Sequence, residues 1–65
     1  NQEVLWELYG IFHEIQDDKN AKKLLEAAMN NINLVKENTK DEEIKKIYMN
    51  RAVNIKIMDE WGIMD

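Results

Sequence analysis

Few side chains in this 65-residue chain could start a covalent reaction. Serine and cysteine are absent and the single threonine is Thr39, so no Ser- or Cys-based triad can be assembled. His13 is the lone histidine. At helical spacing its neighbours are Tyr9 and Asp17, which describes a half-exposed aromatic on a helix surface better than a general base. The Glu-x-x-His pattern of di-iron bundles fails because Gly10 stands three residues before His13. Asp17-Asp18-Lys19-Asn20 lacks the spacing and the distal glutamate of a calcium loop, and reads as a capped turn. No catalytic residue, metal site or cofactor is therefore expected, and the chain is not expected to be an enzyme.

What remains is binding, and charge narrows its kind. The net charge of −4 is unevenly placed. Residues 1–18 carry acids only, residues 19–56 are net basic, and the last residues are acidic again. Acidic ends around a basic middle fit antiparallel helices, or simply a mixed solvated surface. A nucleic-acid-associated regulator is the alternative reading, through a strip of Lys19, Lys22, Lys23, Lys45, Lys46 and Lys56. Against it, a third helix acting as reader would open on Asp41, Glu42 and Glu43, which phosphates repel. No apolar run approaches the ~20 residues that span a bilayer. No leader segment is visible and no cysteine is present, so a cytoplasmic setting without membrane contact is expected. The chain opens on Asn1, as a processed protein or a fragment of a longer one would.

Three helical segments must carry any binding surface. The chain has no proline, and its only glycines are Gly10 and Gly62, so little interrupts them. Residues 1–65 thus read as a single all-α domain, an antiparallel three-helix bundle with helices over about 2–16, 19–37 and 40–61. In the first helix Val4, Leu5, Leu8, Ile11, Phe12 and Ile15 share an arc of roughly 120°. In the second, Ala21, Leu24, Leu25, Ala28, Ile32 and Val35 form one stripe, with Met29 at its edge. Asp17-Asp18-Lys19-Asn20 caps that helix. Thr39 and Glu42 match a capping box at the start of the third helix, and Trp61-Gly62-Ile63 reads as its glycine stop.

The third helix is apolar on two sides. Ile44, Ile47, Tyr48, Ile55 and Met58 are expected to meet the other helices, with Arg51 on the same face. There Arg51 is expected to snorkel; the alternative is a register-setting pair with Glu7, Glu14 or Glu26. Met49, Val53, Ile57 and Trp61 follow one another at four-residue steps on the opposite side. The first helix repeats the arrangement with an aromatic ridge of Trp6, Tyr9 and His13. A centrally packed third helix would bury both sides in one chain. The reading favoured here instead places Trp6, Tyr9, His13, Met49, Val53, Ile57 and Trp61 on a partner-binding surface. It would serve a small regulatory protein–protein interaction module that forms a homodimer or grips another helical protein.

Tyr9-Gly10-Ile11-Phe12, followed by Ala21, Leu25 and Ala28, resembles the small–large pattern of a tetratricopeptide hairpin, one loop residue short. Gly10 and Ile11 correspond to Ala52 and Val53 at an offset of 42 residues. The family's period is about 34 residues. The resemblance implies one and a half repeats of a peptide- or protein-binding scaffold.

Overall fold

Short side-chain oxygens set the first three helix starts of this chain, as a computed structural model describing residues 1–64 shows. Asn1 begins α1 (Gln2–Glu14), its Oδ1 accepting from the Val4 amide at 2.9 Å. Asp17, one of three side chains in Asp17-Asp18-Lys19-Asn20 able to cap, begins α2 (Asp18–Asn38) and accepts from the Asn20 amide and side chain. Asp41 begins α3 (Glu42–Met49), its Oδ1 accepting from the Glu43 amide at 2.9 Å and the Ile44 amide at 3.3 Å. The capping box expected from Thr39 and Glu42 is not formed. The Thr39 amide closes α2 on the Val35 carbonyl at 3.0 Å, and the nearer carboxylate of Asp41 takes the free amides of α3. Glu42 instead accepts from Lys45 at 3.2 Å. A fourth helix, α4 (Ala52–Met64), completes the order, with no strand among the described residues.

The turn between α1 and α2 places a left-handed residue where the chain has no glycine. Gln16 sits at φ 63°, its amide donating to the His13 carbonyl at 3.1 Å while the Asp17 amide donates to that of Phe12 at 2.8 Å. This is a Schellman ending. Gly62, where such an ending was expected, has no left-handed backbone and lies inside α4.

The all-α class predicted from the sequence holds, with four helices in place of three. The expected helix over residues 40–61 breaks at Asn50-Arg51. In an unbroken helix the Tyr48 carbonyl would accept from the Ala52 amide. Here it accepts from the Arg51 amide at 3.3 Å and from Asn54 Nδ2 at 2.7 Å. Asparagine competes with backbone amides for helical carbonyls; the Asn50 side chain also donates to the Lys46 carbonyl at 2.9 Å, beside the Asn50 amide at 3.0 Å.

α1 and α2 pack as an antiparallel hairpin, and α4 runs back along α1 in the same direction. Arg51 and Asn54 lie at the first turn of α1, against Glu3 and Gln2, and Glu60 reaches Tyr9 further on. α3 packs on α2 and α4 and not on α1, so the molecule is elongated, 39 × 19 × 17 Å. Tyr9, Ala21, Leu25, Ala28, Ile32 and Ile57 form the buried core, flanked by Leu5, Trp6, Phe12, Leu24, Met29, Val53, Met58 and Trp61 among others. The stripe expected on α2 is thus the buried one. On α1 the inward face is Gln2, Leu5, Trp6, Tyr9 and Phe12, which turns the helix by about 100°, one residue, from the expected aliphatic face.

Polar packing accounts for that rotation. Gln2 and Asn54 are buried, and Gln2 Nε2 donates to Asn54 Oδ1 at 2.8 Å and to the Ala28 carbonyl at 3.1 Å. Gln2 Oε1 accepts from Asn31 at 3.0 Å. Among the described residues no buried side-chain nitrogen or oxygen lacks a partner.

Two stability outcomes follow for urea unfolding. Asn54→Leu is expected to lose about 2 kcal/mol by leaving one buried Gln2 N–H without an acceptor, and Gln2→Leu/Asn54→Leu to lose less than that single change. Asp41→Ala should lose about 1 kcal/mol and Thr39→Ala clearly less; equal losses would restore the capping box.

Candidate interaction surface

Of the residues expected to bind a partner, most are brought together inside the bundle. Ile57 is fully buried and Tyr9 is 4% exposed. Trp6, Met49, Val53 and Trp61 pack half-buried against them, and only His13 is exposed. The ridge on α1 is real as a stack: Trp6 and Tyr9 have ring centroids 5.4 Å apart, Tyr9 and His13 5.6 Å apart. Its middle ring, however, faces inward. The row read as lying outside the core therefore closes it, and a partner could reach Tyr9 or Ile57 only by opening the chain.

Tyr9 also shows why that ridge turns in. Its hydroxyl donates to Glu60 of α4, a polar tie that no aliphatic residue of α1 could supply. Burial, then the hydrogen bond and the charge of Glu60, with Asp18 beyond, push the phenol up to about 12. With its pKa raised in the folded state, the phenol contributes stability that is fully present below its unfolded value near 10 and is lost as pH rises from there toward about 12.

Arg51 neither snorkels nor meets Glu7, Glu14 or Glu26. Its guanidinium donates to Glu3, with both side chains about half-exposed. Both residues line an open cleft of about 440 Å³ between α1 and α4, together with Trp6, Glu7, Ala52, Val53 and Lys56. Among the described residues no three His, Cys, Asp or Glu side chains come together as a metal site. None of their helices is long and apolar enough to cross a membrane. In the lysine strip, Lys45 is occupied by Glu42, and Lys19, Lys22 and Lys23 are exposed around the exposed Glu26.

The rotation of α1 has put a different row in solvent. Val4, Leu8, Ile11 and Ile15 are 49%, 37%, 56% and 64% exposed. Their 4-3-4 spacing is that of a coiled-coil seam. Ile44 and Ile47 of α3, Ile55 of α4 and Leu34 of α2 are also more than half or nearly half exposed. These aliphatic residues were expected in the core (Leu34 apart), and sequence periodicity marked their helices without marking their side. Gly10 is equally uncovered, with no atom within 4 Å of an added Cβ, so it is not the close-packing small residue that the tetratricopeptide resemblance implies. Comparison with protein-family models, curated proteins and solved structures gives no match.

Raising pH is expected to destabilise the wild type progressively between about 10 and 12 as the unfolded phenol ionises first. Denaturant midpoints of wild type and Tyr9→Phe, compared across that range, should converge with rising pH; parallel curves would show that the Tyr9–Glu60 contact carries no such linkage.

Proposed function

We propose that this chain is a small helical protein–protein interaction module of regulatory type, which acts by laying an exposed aliphatic face on another helix. The row Val4, Leu8, Ile11 and Ile15 carries the reading. Single exposed leucines and isoleucines are ordinary, but three on one stripe of α1 with a fourth, Ile15, at its C-cap, spaced as a seam, are a continuous apolar surface. The surface involved is not the one expected from Met49, Val53, Ile57 and Trp61, because those residues already serve the bundle. The occupant is a helical protein, the alternative being a second copy of the chain.

Site-specific photo-crosslinking from Ile11, run beside a concentration series in sedimentation velocity, tests the proposal. A defined adduct or a dimer is expected with the wild-type chain. Leu8→Asn/Ile11→Asn, altering exposed positions only, should keep the fold and abolish association. A chain that sediments as a monomer throughout, with no adduct at Ile11 above one placed at Lys22, would sink it.

A further inference from the structure

We infer that the exposed row of α1 is built for a basic amphipathic helix, a segment whose own aliphatic row is flanked by lysine or arginine; this rests on the association reading above. Two properties of the row select that occupant.

The first is charge. α1 carries three carboxylates, Glu3, Glu7 and Glu14, and no lysine or arginine, with His13 as the one basic residue in its last turn. Glu3 is taken by Arg51, but among the described residues Glu7 and Glu14 have no ion-pair partner. They stand three residues after Val4 and Ile11, and so line one edge of the seam at the flanking heptad position. The other edge is Leu5 and Phe12, which run into the core. A helix laid on this row meets two carboxylates outside any ion pair on one side, Glu7 also bordering the cleft lined by Arg51 and Lys56, and apolar surface on the other.

The second is size. From Val4 to Ile15 the row spans about 16 Å, three turns. Its exposed side chains offer on the order of 350 Å², within the range of a functional surface patch. A stable dimer needs roughly 800 Å² from each copy. A two-fold antiparallel pairing of α1 would also set Glu7 beside the Glu14 of a second copy, twice, where like charges repel. An anionic lipid surface would meet the same acids. One helix of complementary charge fits both the length and the sign.

The test uses two synthetic helices with the same isoleucine–leucine seam, one flanked by lysine and one by glutamate. Binding is measured by calorimetry at low salt and mapped by amide chemical shifts. The wild-type chain is expected to bind the lysine-flanked peptide at least tenfold more tightly than the other, with shifts centred on α1 and affinity falling as salt rises. Glu7→Lys/Glu14→Lys should invert the preference. Leu8→Asn/Ile11→Asn, which keeps every charge, should lose both peptides and so separates seam binding from mere attraction to an acidic surface. Equal affinity for the two peptides overturns the inference, as does a shift map centred off α1, or retention of binding by the asparagine variant. If neither peptide binds while Ile11 still yields an adduct or a dimer, the inference falls and the association reading survives.

Discussion

An amide side chain in an apolar interior is tolerated only if its hydrogen-bonding atoms are met, since an orphaned buried polar group costs about 1–3 kcal/mol. Gln2 satisfies that condition by drawing on Ala28 and Asn31 of α2 and Asn54 of α4. Asn54 in turn holds the Tyr48 carbonyl that the α3–α4 break leaves open. The rest of the architecture depends on this cluster. It sets the rotation of α1 about its axis, the level at which α4 lies against α1, and the place where the last helical stretch divides. Tyr9 and Glu60 repeat the same logic further along. With a buried hydrophobic core of only a few side chains, these polar ties choose among packings that apolar burial alone would leave close in energy.

How much of this was legible in the sequence follows from the physics of each element. α2 has one apolar stripe, so Ala21, Leu25, Ala28 and Ile32 identify its buried side without ambiguity. The stretch that caps it was also readable, because a capping carboxylate acts within three residues of itself, although Asp17, Asp18 and Asn20 were all candidates. α1 and α4 are apolar on two sides, and periodicity cannot rank an aliphatic face above one carrying Gln2, Trp6 and Tyr9. The decision lies in hydrogen bonds to residues some fifty positions away, such as Gln2 to Asn54 with a separation of 52, and no local pattern records those. The cap of α3 and the glycine stop of the last helix failed for a related reason: Thr39, Asp41 and Gly62 are each chemically competent at a helix end, and geometry decides which of them acts.

The candidate surface inherits this inversion. The aromatic and branched residues that resemble an interface by composition are those the chain uses for itself. The plain aliphatic residues that resemble a core by periodicity are left in water. Side-chain type alone does not separate a core from an interface in a chain this small, because both are apolar and both include tryptophan and tyrosine. What separates them here is the polar cluster, which commits one face of α1 inward and so releases the opposite one, with its acidic edge, to solvent.

That cluster also orders the events of folding. The α1–α2 hairpin closes through a turn of a few residues and can form within microseconds of collapse. Until α4 arrives from the far end of the chain, however, Gln2 lacks its Asn54 partner and Tyr9 lacks Glu60. The hairpin on its own therefore holds polar groups that water serves better than the half-built interior does. Gln2 and Tyr9 complete their hydrogen bonds only when α4 docks, so an amide contact between the second residue and the last helix favours all-or-none assembly.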